Sequence, residues 1–242
     1  MDNQEEKSKP VPAQVSYIVY GPDQPAWDSK SDTTAIIIYG GGGHGKMVID
    51  LLRSIATYRI SGIIDDGLPI NSSVMEQAVL GGEEVLPKLY KEGIRLSANA
   101  VAGIGNIRSR ITIYQKLGEA GFYSPSLVHA RAFLEPGAIL SPAVQVFANA
   151  YIVSEAKVGF GSIINTGVII SHDCIIGKYA TLSPGAILAG AVQVGDGALI
   201  GMGVTVNITV KIGSGARVGN GATVKADVPD NGVVRAGTIW PG

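Results

Sequence analysis

From Val128 onward the chain keeps a six-residue beat. An aliphatic residue recurs at every sixth position, through Leu134, Leu140, Val146 and Ile152 as far as Val224, and four places after each comes a small or β-branched one, from Ala132 and Ala138 to Val228. The beat runs for seventeen hexads, from Val128 to Pro229, without an insertion. Neither the 3.6 period of a helix nor the 2 period of a strand sustains a strict six, but a coil of three short strands joined by tight corners does. The pattern therefore predicts a parallel β-solenoid. Its aliphatic residues point into a narrow triangular prism, and the residue four places on is small because three of them converge near one axis. Gly, Asn, Asp, Ser and Pro fill the places between, where corners need left-handed or preset turns.

Upstream the period changes. Residues 35–39 read as a buried strand, 47–52 as the start of a helix, 58–64 as a second strand ending in Asp65-Asp66, 86–92 as a helix, 98–104 as a third strand and 107–119 as a helix. Alternating strand and helix argues for a small parallel, Rossmann-like sheet with right-handed crossovers. The expected organisation is a mobile N-terminal extension over 1–33 with at most one added strand, an α/β domain over 34–126, and the solenoid with a C-terminal tail over 127–242. A length of 242 residues suits one solenoid and one smaller domain.

Composition narrows the function classes. Lys and Arg number 19 against 20 for Asp and Glu, which gives no electrostatic case for a nucleic-acid partner. A single cysteine, Cys174, excludes an internal disulfide, and its hexad register points it inward. The N-terminus is polar, and no apolar run approaches a membrane span, so a soluble, cytoplasmic protein with no membrane partner is expected.

The first strand leads into Gly40-Gly-Gly-Gly-His44-Gly45-Lys46. Gly40, Gly42 and Gly45 satisfy the dinucleotide fingerprint, with Asp65 beyond them at the usual spacing. The same run satisfies the phosphate loop up to its last position, where Met47 stands in place of the Ser or Thr that would hold Mg²⁺. A full dinucleotide would need a second mononucleotide half, and the hexads begin before the chain could build it. Backbone N–H groups facing the phosphates of one nucleotide or nucleotide sugar remain, with a carboxylate at the next strand end to accept hydroxyl or base donors. A glycine turn that only lets helix and strand pack is the competing reading.

Three histidines can be judged one by one. His44 belongs to the glycine loop, and His129 has no carboxylate beside it and suits a structural role at a corner. Two solenoid histidines 43 residues apart cannot supply a three-histidine zinc site, so no metal is expected. His172 is different, because Ile170 and Cys174 fix the frame and turn its imidazole outward with Asp173 adjacent and Asn165 seven residues earlier. An exposed imidazole beside a carboxylate is a plausible general base. Three hexads make one coil, which stacks Gly190 on His172 and offers its backbone N–H as an oxyanion donor. A solenoid with few charges on its flat faces, and a base at a corner without a second wall, predicts a homotrimer with three shared sites.

From about residue 35 to 234 the chain resembles the left-handed β-helix, hexapeptide-repeat nucleotide-sugar acetyltransferases, the family of amino-sugar N-acetyltransferases and sialic-acid O-acetyltransferases. The likeness rests on Tyr39-Gly-Gly-Gly-Gly-His44-Gly45, Asp65-Asp66, Gly103-Ile104-Gly105-Asn106, and Ile164-Asn165-Thr166-Gly167 through His172-Asp173-Cys174-Ile175-Ile176-Gly177. It implies acetyl transfer from acetyl-CoA to the amine of a nucleotide-linked 4-amino-dideoxy sugar, with His172 as base and Asp173 raising its basicity. Gly42, Gly43, His44, Asp65, Asp66 and Gly105 match the family's nucleotide-sugar contacts. Met202 and Asn220 align with coenzyme contacts along the solenoid, and Thr181 stands where a second histidine is frequent. The usual C-terminal Gly-Val-Pro-Ala-Lys is replaced by Val234-Arg-Ala-Gly-Thr-Ile-Trp-Pro-Gly. O-acetylation of a sugar hydroxyl and a non-catalytic scaffold are the competing functions.

Overall fold

A computed structural model of the chain describes residues 31–103 and 106–242. The α/β part comprises β1 (Asp32–Tyr39), α1 (Gly43–Ile55), β2 (Arg59–Ile64), β3 (Ser73–Val74), β4 (Gln77–Gly81), α2 (Leu86–Lys91), β5 (Ile94–Asn99) and α3 (Ile107–Glu119). The sheet order is β3-β4-β2-β1-β5. Strands β4, β2, β1 and β5 run parallel, but β3 pairs antiparallel with β4. The parallel sheet expected from the alternation is thus present in these four strands, and β3 adds an antiparallel edge that makes the whole sheet mixed. The hairpin turns at Met75 and Glu76, whose φ values of 48° and 68° give the primed turn that strand twist favours.

Two boundaries also move. Strand β1 begins at Asp32, so the end of the presumed extension belongs to the sheet; the reading of residues 1–30 lies outside the described residues. Strand β5 covers 94–99 rather than 98–104. It stops where β1 stops, since Asn99 is the register partner of Tyr39. The Asn99 side chain then turns the chain, accepting from the Val101 N–H at 2.9 Å and donating to the Arg110 carbonyl at 2.9 Å.

The solenoid is a left-handed parallel β-helix. Two-residue strands follow one another from Leu127–Val128 to Thr223–Val224 and stack every eighteen residues, as in Ile152 on Ile170, Ile164 on Leu182 and Ile176 on Val194. The aliphatic residues from Leu134 to Val224 are buried along the axis together with the small residues between them. Each such side chain contributes roughly 1.5–3 kcal/mol of burial. The beat continues past Pro229. Val228 drops into an aliphatic slot against Ile212 instead of a small one, and Val233–Val234 and Ile239–Trp240 then pair with strands sixteen residues earlier. The expected tail therefore completes one more, shortened coil.

Three faces result. The first turns Leu127, Gln145, Ile163, Thr181, Leu199 and Arg217 outward; the second Phe133, Tyr151, Ile169 and Ile187; the third Ile139, Lys157, Ile175 and Gln193. The α/β part sits on the first face, where Leu127, Phe147 and Ile163 share a core with Ile36, Ile38, Val48 and Leu52. At the corner between the third and first faces Tyr114, Phe160 and Tyr179 pack edge-on, and the buried Arg110 guanidinium donates to the Tyr179 carbonyl. Burial pushes the Arg110 pKa down to about 10, which leaves it charged at neutral pH. Among the described residues no helix is long and apolar enough to cross a membrane.

Candidate functional site

His172 and Asp173 occupy the corner between the second and third faces. Their exposed side chains meet through His172 Nδ1 and Asp173 Oδ2 at 2.7 Å. The carboxylate can only accept, so Nδ1 carries the hydrogen, and in the neutral ring Nε2 is then the nitrogen whose lone pair can take a substrate proton. Asp173 reaches this position from a left-handed backbone, φ 61°. Gly190 lies on the imidazole as the eighteen-residue stacking requires. A Cβ there would come within 2.6 Å of both Nε2 and Cε1, so only glycine lets the ring lie where it does. Cys174 is buried beneath the corner with its thiol directed at the Ala189 carbonyl, 3.2 Å away.

Asn165 is not brought to His172. Its corner joins the first and second faces, and strand Ile169–Ile170 intervenes. There its Oδ1 accepts the Thr166 N–H at 2.9 Å. It lines a groove of about 500 Å³ together with Thr181, Met202 and Asn220, the three residues expected at the coenzyme, and so lies apart from the base it was expected to serve. The Asn220 Oδ1 caps the Met202 N–H at 2.9 Å, one coil back. Ser183, Leu199 and Arg217 also line this groove. They were missed, although stepping eighteen residues from Thr181 leads to Leu199 and then Arg217.

A second cavity, of about 520 Å³, opens at the carboxyl ends of β1 and β2. This is where parallel α/β sheets hold their ligands. Asp65 and Asp66 line it, and both carboxylates also brace its walls. Asp65 accepts the N–H groups of Gly41 and Gly67 at 2.7 and 2.9 Å. Asp66 accepts the Tyr39 hydroxyl at 2.7 Å and the Glu83 N–H at 2.9 Å. Burial and the Asp66 hydrogen bond push the Tyr39 phenol well above its usual range, so it stays a donor. Asn106, Arg108, Ser109 and Thr112, from the start of α3, form another wall. Asn106 closes the Gly103–Asn106 motif, but a third strand expected over 98–104 hides the turn out of β5 that brings Arg108, Ser109 and Thr112 to the same wall.

Gly42 and Gly43 are exposed at the start of α1 and do not line this cavity. Gly45 serves packing, since a Cβ there would lie 2.3 Å from the Gly40 carbonyl oxygen. Gly105 falls outside the described residues. His44 turns towards the solenoid, where Nε2 donates to Gln145 Oε1 at 2.8 Å, while Gln145 Nε2 donates to the Asn99 carbonyl at 2.7 Å. Desolvation at this junction lowers the His44 pKa to about 4. The unfolded chain then binds a proton that the folded one refuses, so His44 lends stability above about pH 6.5 that is lost as pH falls towards 4. The difference in melting temperature between the native chain and His44→Phe should change across that window; parallel curves would remove His44 as the cause.

Among the described residues no group of three or more His, Cys, Asp or Glu side chains is placed to hold a metal ion.

Known proteins supply the remaining observation. Residues 35–117 match the family described as the PglD N-terminal domain. A mutant of perosamine N-acetyltransferase from Caulobacter crescentus, with one histidine changed to asparagine and in complex with CoA and GDP-perosamine, is similar to this chain. It shares 32% identity over 84% of this chain and 94% of its own, with a TM-score of 0.79. The acetyltransferase domain of PglB from Neisseria gonorrhoeae, in complex with acetyl coenzyme A, shares 30% over 84% and 97%, with a TM-score of 0.77. WeeI from Acinetobacter baumannii shares 25% over 83% and 96%, with a TM-score of 0.74.

Proposed function

The chain belongs to the sugar acetyltransferases of the hexapeptide-repeat, β-helix family, and from that premise we propose that it transfers acetyl from acetyl-CoA to the amine of a nucleotide-linked 4-amino-4,6-dideoxy sugar. The observation that carries this reading is the exposed His172 imidazole, with Nδ1 tied to Asp173 at 2.7 Å and Nε2 open beside Gly190. The Caulobacter relative, crystallised with CoA and an amino sugar on GDP after a histidine had been replaced, supports an amine acceptor.

In the proposed reaction the sugar nitrogen attacks the thioester carbonyl directly and His172 Nε2 takes its proton. The oxyanion of the tetrahedral intermediate faces the Gly190 N–H, and collapse breaks the C–S bond. The thiolate leaves with the proton returned by His172, and no covalent enzyme intermediate forms. Thr181, Met202 and Asn220 hold the coenzyme in their groove, and Asp65 and Asp66 hold the nucleotide sugar. Thiol release should appear with one of the UDP-, dTDP- or GDP-linked 4-amino sugars. Release with the matching 4-hydroxy sugars alone would transfer the assignment to O-acetylation, and none with either series would leave a scaffold.

A site of this kind needs a second copy of the chain. The α/β cavity sits over the first face, and His172 lies at the corner opposite that face of the same prism. The second face offers exposed Phe133, Tyr151 and Ile187 for association, beside the His172 corner. A homotrimer with three shared sites brings one copy's base to another copy's substrate. Light scattering should give three times the 25.0 kDa chain mass. A fully active monomer would be incompatible with a shared site.

A further inference from the structure

The cavity at the carboxyl ends of β1 and β2 divides its charge. Asp65 and Asp66 stand at the strand ends with Tyr39, whereas Arg108, Ser109 and Thr112 stand on the first turns of α3. Arg108 is the cation among the lining residues, is exposed, and makes no hydrogen bond or ion pair among the described residues. The other cation near this wall is already engaged, since Lys116 pairs with Glu83.

The glycine loop offers a diphosphate much less. The Gly41 N–H already donates to Asp65 Oδ2 at 2.7 Å, which sets a carboxylate against the loop. Gly42 and Gly43 lie outside the lining, and Gly45 is spent on helix–strand packing. A diphosphate beside Asp65 and Asp66 would meet like charge, whereas nucleoside hydroxyl and ring N–H groups would find acceptors there.

Resting on the nucleotide-sugar substrate proposed above, we infer that Arg108 is the binding residue for the diphosphate, with Ser109 and Thr112 hydroxyls beside it, and that the nucleoside points towards Asp65 and Asp66. The anchor is therefore on α3 rather than on the loop before α1. The guanidinium fork suits two phosphate oxygens, and such charge-assisted pairs are the stronger class of hydrogen bond. A hydrogen bond to a charged group, at the lower end of its usual range, corresponds to about tenfold in affinity.

Titration calorimetry on the full-length protein would use UDP, dTDP and GDP, each against its own nucleoside. For whichever diphosphate binds the native chain, Arg108→Gln should weaken binding about tenfold or more, Arg108→Lys should recover part of the loss, and the matching nucleoside should bind native and Arg108→Gln proteins alike. Raised salt should narrow the gap between native and variant. Equal affinity of native and Arg108→Gln proteins for the diphosphate overturns the inference alone. A loss of the same size for the nucleoside also overturns it, because the change then acts on the cavity's shape. A native protein that binds none of the three diphosphates overturns the substrate reading and this inference together.

Discussion

Replacing His172 with alanine should lower kcat by about 10²–10⁴-fold, the usual contribution of a positioned general base, and leave nucleotide-sugar affinity close to native. The two effects separate because His172 stands at the corner between the second and third faces, whereas the cavity with Asp65 and Asp66 belongs to the α/β part over the first face. The ring is exposed and serves no core, so its loss leaves the buried axis of the solenoid untouched. Asp173→Asn should cost less. The base itself remains, but the charge facing a developing imidazolium is gone. Steady-state kinetics with each substrate varied, together with calorimetry of nucleotide-sugar binding, separate these outcomes. Near-native kcat in His172→Ala would sink the assignment of the base, and a large loss of nucleotide-sugar affinity would mean that this corner binds rather than catalyses.

What the sequence reveals follows the range over which its signals act. The solenoid was legible almost residue by residue, because each hexad repeats one local problem and stacking at eighteen residues turns it into a three-dimensional register. That register alone placed Gly190 on His172. It failed where the chain changed its own rule: Val228 fits both the small and the aliphatic slot, so the two-residue shortening before the last coil left no mark in the pattern. Asn165 illustrates a different limit. Seven residues looked close to His172 along the chain but span a whole face of the prism, and proximity along a solenoid is counted in coils. In the α/β part the β3–β4 hairpin was hidden because Met75 and Glu76 adopt positive φ without Gly or Asn. The glycine loop shows the converse, one motif with two physical causes that the sequence does not separate. Its motif records how closely strand and helix must approach, and Gly45 against the Gly40 carbonyl satisfies that need without any ligand.

Gly190→Ala should abolish most turnover while leaving the fold and both Michaelis constants nearly unchanged. The backbone at 190 is not in the left-handed region, so alanine meets no conformational strain there. Its Cβ, however, would sit 2.6 Å from His172 Nε2 and Cε1, and the atoms it meets belong to the free end of an exposed side chain. The ring will therefore swing away instead of the coil opening, so the melting temperature should hardly move while the base leaves its position. Displacing a reacting group by about 1 Å costs roughly 10²-fold, and the same Cβ crowds the N–H proposed to face the oxyanion. A kcat loss of that order, with native melting and native KM for nucleotide sugar and acetyl-CoA, is the expected signature. Native kcat would mean that His172 does not work from the position stacked on Gly190. A rise in KM for acetyl-CoA at unchanged kcat would instead make Gly190 a wall of the coenzyme site and remove it from the catalytic step.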